Sequence, residues 1–88
     1  MEFQKSEGRI WAEDGEGKLL AEILFPRQGD EVAITHTFVD DSLRGQGVAG
    51  QLMAAAMEQI QAEGRQALPV CSYAKTWLEQ HPSQAGNP

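Results

Sequence analysis

Leu43-Arg44-Gly45-Gln46-Gly47-Val48-Ala49-Gly50-Gln51-Leu52-Met53-Ala54-Ala55-Ala56-Met57-Glu58-Gln59-Ile60-Gln61-Ala62-Glu63-Gly64 decides how the chain is built. From Val48 to Glu63 the apolar residues Ala49, Leu52, Met53, Ala56, Met57 and Ile60 recur at helical spacing, and Gly64 supplies a stop. A loop with glycines at 45 and 47 opens directly into this helix, and a third glycine follows at 50. Upstream, Glu31 to Val39 is rich in β-branched and aromatic residues and reads as a strand after the turn Pro26-Arg27-Gln28-Gly29-Asp30. Before it, Gly8 to Glu13 and Lys18 to Phe25 flank the turn-rich Asp14-Gly15-Glu16-Gly17 and read as a hairpin. Downstream, Arg65 to Val70 reads as a short strand. Ser72 to His81 reads as a helix, with Tyr73, Ala74, Trp77 and Leu78 on one face before Pro82 ends it. The order is βββαβα: an antiparallel meander of three strands followed by a βαβ crossover. That order makes a mixed α+β fold with the helices covering the apolar faces of the sheet.

With 88 residues, 41% of them hydrophobic and 23% charged, the chain suits a single domain. We assign 1–82 to that domain and expect the tail Ser83-Gln84-Ala85-Gly86-Asn87-Pro88 to be disordered. No run approaches the roughly 18 apolar residues a membrane span needs, and the polar start Met1 to Ser6 lacks a signal-peptide core, so the expected address is the cytoplasm. Cys71 is the one cysteine and has no disulfide partner within the chain; no Cys and His cluster has metal-ligand spacing. The net charge of −6 argues against a nucleic-acid surface. The charge is uneven: Met1 to Leu43 holds ten acids against four bases, whereas Arg44 to Pro88 is balanced. Between Asp41 and Glu58 the only charged side chain is Arg44, so an anion meets least repulsion there. Exposed sheet edges would allow a homodimer.

A glycine loop at a helix N-terminus offers free backbone N–H groups and the positive end of the helix dipole, which together favour an anion such as phosphate. The alternative is a tight turn in which glycine lets the helix pack close to the sheet. Gly45, Gly47 and Gly50 also satisfy G-x-G-x-x-G, but Asp40-Asp41-Ser42-Leu43 separate them from the strand and no acid ends the next strand, so a dinucleotide fingerprint is rejected. A Walker-type loop is excluded because no G-K-S/T follows.

Arg44-Gly45-Gln46-Gly47-Val48-Ala49 resembles the Q/R-x-x-G-x-G/A signature of the GNAT acyl-CoA-dependent N-acetyltransferase superfamily, in the same place between the central strand and the cofactor-binding helix. Thr35-His36-Thr37-Phe38-Val39 before it, Pro69-Val70-Cys71-Ser72-Tyr73 after it and the closing His81-Pro82 look like the minimal single-domain branch of that superfamily. The resemblance covers roughly Gly8 to Pro82. It implies an enzyme that binds acetyl-CoA in a cleft where the third strand and the next one splay apart. Backbone N–H groups of Arg44, Gly45, Gln46, Gly47, Val48 and Ala49 would cradle the pyrophosphate, and backbone groups of Thr37, Phe38 and Val39 would hold the pantetheine arm like an added strand. Ser72 and Tyr73 would stand at the cofactor, and the thioester would lie near His36 and Cys71. The acetyl group would pass to an amine, as yet unidentified, of a small molecule or of a protein lysine or N-terminus. The acid-rich half hints at a cationic acceptor. A non-catalytic CoA-binding or protein-interaction module with the same cleft is the other reading, because the chain lacks the acceptor-walling segments of larger GNAT enzymes.

Cys71 sits where a strand ends and a helix begins, and a helix N-terminus stabilises a thiolate. It is either a nucleophile, a polar group at the thioester during direct attack, or a small buried apolar residue. His36 alternates in phase with Val32, Ile34 and Phe38, so a regular strand puts it on an apolar face. A β-bulge, which the resembling enzymes place on this strand, would turn His36 toward the cleft as a general base. His81, before Pro82 at a helix end, reads as a cap for carbonyls, and Asp40 and Asp41 as turn-capping or solvated acids. Trp11, Phe38, Tyr73 and Trp77 read as core aromatics, with the Tyr73 hydroxyl the one able to reach the cleft.

Overall fold

The computed structural model describes residues 2–81. The tail 83–88 lies outside the described residues. In chain order the elements are β1 (Gln4–Ser6), β2 (Arg9–Glu13), β3 (Leu19–Leu24), β4 (Arg27–Gln28), β5 (Glu31–Ile34), β6 (His36–Val39), α1 (Val48–Ala62), β7 (Gln66–Pro69) and α2 (Ser72–Gln80). An α+β fold with the expected crossover results. The β2–β3 hairpin forms around Asp14, whose carboxylate accepts the N–H groups of Glu16 at 2.8 Å and Lys18 at 2.9 Å. Those bonds satisfy a turn that glycines alone would leave loose.

The expected third strand, Glu31 to Val39, is in fact two strands in two sheets. β6 pairs with β3 and closes the four-stranded antiparallel sheet β1-β2-β3-β6, whereas β5 lies in a second sheet, β4-β5-β7. The chain changes sheet at Thr35, whose N–H donates to Leu24 O at 3.0 Å. At the same point Ile34 O accepts both Val70 N (3.0 Å) and Cys71 N (3.1 Å), which ends the pairing of β5 with β7. From there β6 and the chain after β7 part. Burial changes across the break: Val32, Ala33 and Ile34 are all buried in succession, so β5 is covered on both faces, while β6 has one solvated face.

One core joins both sheets to the helices. Ile10, Ile23 and Ile34 from the strands, with Phe25 just after β3, meet Leu52, Met53, Met57 and Ile60 of α1 and Trp77 of α2. Leu52, Met53, Ala56, Met57 and Ile60 thus land on the strands as expected and Val48 joins the stripe, whereas Ala49, also expected there, is only half-buried. The helix ends in a Schellman arrangement: Gly64, at φ +69°, donates to Gln61 O at 3.0 Å, and Arg65 N donates to Ile60 O at 3.1 Å.

Beside that end, Glu63 is held by Arg27, whose Nε donates to Oε1 at 2.9 Å and whose Nη2 pairs with Oε2, and by Arg65 at 3.4 Å. The Arg27 guanidinium holds the Glu63 carboxyl below its ordinary value of 4.5. A carboxyl depressed in the folded state adds stability above its unfolded pKa and loses that contribution as pH falls through the folded one. Urea titrations at falling pH should therefore show the wild type losing stability below the ordinary carboxylate range, and Glu63→Gln losing less over the same window. Equal losses in both would assign the acid sensitivity to Asp14 and Asp40, which backbone and Ser42 hydrogen bonds also depress.

Candidate active site

β6 delivers the chain to a braced loop. The Asp40 carboxylate accepts Ser42 N at 3.1 Å and Ser42 Oγ at 2.6 Å, and a single 3-10 turn, Asp41–Leu43, follows. Gln46 Nε2 donates back to Ser42 O at 3.4 Å, and Arg44 Nε lies 2.8 Å from Asp41. Asp40 thus caps the turn and Asp41 pairs on the surface, as their positions in the sequence suggest. Gly47 is the N-cap of α1 with φ +73° and no side-chain cap bond. The first N–H groups of α1 are therefore left without a capping side chain, at the positive end of a fifteen-residue helix.

These N–H groups border a cleft of about 460 Å³. Thr37, Val39, Leu43, Arg44, Gly45, Gly47, Val48, Ala49, Gly50 and Tyr73 line it. The side chains of Thr37 and Val39 point inward because their register partners Ile23 and Ala21 are core residues. The Thr37 hydroxyl reaches across to Cys71 Sγ at 3.5 Å, so the cysteine stands at the edge of the same cleft, at the N-cap of α2. Tyr73, 38% exposed, closes the other side. Partial burial pushes its phenol above the ordinary 10.0, so it stays protonated at neutral pH.

The structure therefore brings together eight of the residues expected at the cofactor: Thr37, Val39, Arg44, Gly45, Gly47, Val48, Ala49 and Tyr73. Phe38, Gln46 and Ser72 do not line the cleft; Gln46 braces the loop instead, and Ser72 is exposed at the start of α2. Leu43 and Gly50 line it as well, although the sequence reading assigned neither to the cofactor. The third glycine of the run was the available signal: a Cβ at Gly50 would stand 3.7 Å from Trp77 Nε1 and 3.9 Å from the Tyr73 hydroxyl, so α2 packs close there.

His36 does not share the apolar face of Val32 and Ile34. The break at Thr35 inverts the phase, and His36 emerges on the opposite, solvated face of β6, half exposed, with Nε2 3.8 Å from Glu22 Oε1. Phe38 emerges on that face too and is 36% exposed, so it is not a core aromatic, while Trp77 at 8% is. His81 caps as its position suggests, its Nδ1 2.8 Å from Trp77 O, and its ring stacks on Trp77 at 4.0 Å. No group of His, Cys, Asp and Glu among the described residues could hold a metal ion. No helix among them is long and apolar enough to cross a membrane.

The geometry has counterparts. The family model described as GCN5-related N-acetyl-transferase matches residues 9–86. A GCN5-like protein of Staphylococcus aureus, known from its solution structure, is 34% identical over 94% of this chain and 82% of its own, with a TM-score of 0.78. A GNAT-family N-acetyltransferase of Escherichia coli, solved with CoA, superposes at a TM-score of 0.60 with 24% identity over 69% of this chain and 38% of that one. Tetrahymena GCN5 superposes at 0.63 with 13% identity over 86% of this chain and 48% of that one. These two share the fold, and this chain spans less than half of each. No curated protein matches it. Glycine loop, splayed strands and a family match over nearly the whole length agree: the chain belongs to the GCN5-related N-acetyltransferase family.

Proposed function

We propose that the protein binds acetyl-CoA in the cleft between β6 and α1 and transfers the acetyl group to an amine. One observation carries this: an uncapped helix N-terminus, preceded by glycines at positive φ, faces a cleft whose far wall is the unpaired edge of β6. The residues present fit such a cofactor. The N–H groups of the Arg44 to Ala49 loop suit a diphosphate, and nothing lies within 4 Å of where a Gly47 Cβ would be, so the loop is open to a close approach. The edge of β6 at Thr37, Phe38 and Val39 offers alternating donors and acceptors to an amide-bearing arm. An arm laid along it toward Thr37 ends beside Cys71, 3.5 Å from the Thr37 hydroxyl.

At that end the neutral amine attacks the thioester carbonyl. The carbon–sulfur bond breaks, the sulfur leaves with the electron pair as a thiolate, and the proton shed by the nitrogen passes through solvent to that sulfur. The protein contributes proximity and polar groups near the developing charge. Cys71 serves as a polar group at the thioester, its thiol oriented by Thr37 and by the N-terminus of α2. The acid-rich N-terminal half favours a cationic acceptor: a polyamine, a lysine side chain or a chain N-terminus. A lone unpaired thiol is at home in the reducing cytoplasm, where we place the protein.

Titration calorimetry with acetyl-CoA and amine-dependent release of CoA thiol test the proposal. Micromolar binding with amine-dependent release supports it. Binding without release would make the protein a CoA-binding module, and absence of binding by the folded chain would leave the loop a turn. Cys71→Ala should retain amine-dependent turnover at about a tenth of the wild-type kcat, because direct attack loses one polar group rather than its nucleophile. Complete loss, together with an acetylated Cys71 seen by mass spectrometry of the wild type, would make Cys71 the nucleophile instead.

A further inference from the structure

A second opening lies between α1 and α2, outside the cleft described above. It is a groove of about 410 Å³, within the size range of ligand sites, bordered by Gly47, Gly50, Gln51, Ala54, Trp77 and His81. Gly47 and Gly50 border the cleft as well. On the α2 side Tyr73 borders the cleft, while Trp77 and His81, four and eight residues further on, border the groove. That spacing follows one helix face, so cleft and groove are successive stretches of one seam. Gly50 lies where they meet: a Cβ there would stand 3.9 Å from the Tyr73 hydroxyl and 3.7 Å from Trp77 Nε1. No side chain of residue 47 or 50 divides the two.

Two polar atoms of the groove are left unpaired by the fold. Trp77 is only 8% exposed, yet its Nε1–H has no hydrogen-bond partner among the described residues. No nitrogen or oxygen of their side chains is both fully covered and unpaired, so this N–H opens into the groove that Trp77 borders. An indole buried so deeply ordinarily finds an acceptor, and leaving the donor without one is costly. His81 supplies the complement. Its ring stacks on Trp77, 4.0 Å between centroids, and its Nδ1 is 2.8 Å from Trp77 O. A carbonyl only accepts, so Nδ1 carries the proton, and Nε2 of the neutral ring is left to accept. A donor on one ring and an acceptor on the ring stacked upon it match a ligand edge that sets an acceptor nitrogen beside an amino group. Adenine has such an edge. None of the six bordering residues is Lys or Arg, so the groove suits a neutral base rather than a phosphate.

We propose that this groove reads the adenine base of bound CoA, with Trp77 Nε1–H donating to a ring nitrogen and His81 Nε2 accepting from the exocyclic amine. The assignment rests on the cofactor site proposed above. With the diphosphate on the N-terminus of α1 and the arm along β6, the adenosine leaves from the other end of the diphosphate, and the groove is the opening that adjoins Gly47 there. Trp77 and His81 then select the cofactor by its base without touching the reacting atoms.

The test is calorimetry with CoA, dephospho-CoA, phosphopantetheine and etheno-CoA, in which a two-carbon bridge ties the exocyclic amine to the neighbouring ring nitrogen. The wild type, Trp77→Phe and Ala54→Leu are compared, each with its urea midpoint. Trp77→Phe keeps an aromatic ring in the core and removes the N–H. Ala54 is exposed, so Ala54→Leu fills the groove without entering the core. The wild type should bind CoA and dephospho-CoA alike and etheno-CoA about tenfold more weakly. Both variants should lose about tenfold in affinity for CoA and keep that for phosphopantetheine, which does not reach the groove. Equal affinity of the wild type for CoA and etheno-CoA overturns the inference, whether or not Trp77→Phe folds. A loss in Trp77→Phe shared by phosphopantetheine makes Trp77 merely structural, and dephospho-CoA as weak as phosphopantetheine gives the groove to the terminal phosphate instead. Phosphopantetheine bound as tightly as CoA removes the groove from a cofactor site that still stands. If the folded wild type binds none of the four, the cofactor site itself falls, and this inference with it.

Discussion

Gly47→Trp is expected to weaken acetyl-CoA binding more than about a hundredfold while the domain stays folded. Gly47 is at φ +73°, where a side chain costs roughly 1 kcal/mol of strain, and no atom lies within 4 Å of its added Cβ. The indole therefore enters the cleft rather than the core. It would occupy the space in front of the uncapped N–H groups of α1, where the diphosphate is proposed to sit. Gly47→Ala separates the two effects, since it carries the same strain without the bulk and should lose far less affinity for about the same stability. Calorimetry with acetyl-CoA and urea unfolding of both variants give the answer. Near-wild-type affinity in a folded Gly47→Trp would remove the cofactor from this loop.

Leu52→Ala should be strongly damaging, as for the other fully buried large side chains of the core, at about 3 kcal/mol. Leu52 is 0% exposed and sits in the second turn of α1, in the cluster that joins the helix to the strands of both sheets. Domains of this size hold a few kcal/mol in reserve, so a loss of that size takes most of it. Met53→Leu at the next position, equally buried, keeps the volume and should cost less than about 1.5 kcal/mol. Urea denaturation reads both. A loss for Leu52→Ala below about 1 kcal/mol would mean that the helix is not held by this face.

Much of this was legible in the residues. The 3.6-residue repeat of Leu52, Met53, Ala56, Met57 and Ile60 fixes one element and the face it buries, because a local period needs no knowledge of the rest of the chain. Gly45 and Gly47 likewise mark where the chain must turn at positive φ. The division of Glu31 to Val39 was not legible. It is imposed by partners distant in sequence, β7 for one half and β3 for the other, and Thr35 carries no local mark of the change. That one hidden break also misplaces His36 and Phe38, since a single interruption inverts every later side chain. The two-residue β4 and the edge strand β1, exposed at every position, have no apolar pattern to reveal them. Gln46 and Ser72 sit in the right segments, but the Gln46 side chain bonds Ser42 O and Ser72 is exposed at the start of α2, neither of which the sequence pattern reveals.

The parallel pairing of β5 with β7 also bears on how the molecule assembles. Glu31 meets Gln66 and Ile34 meets Pro69, so this ladder closes only after all of α1 lies between its strands. The β2–β3 hairpin closes across a few residues and incurs little loop entropy. Folding is therefore expected to proceed from the hairpin and α1, with the long closure completing late. Thr37 and Cys71 belong to opposite sides of that closure. The cleft edge they share is then the last part of the protein to exist and the first to be lost when the chain opens.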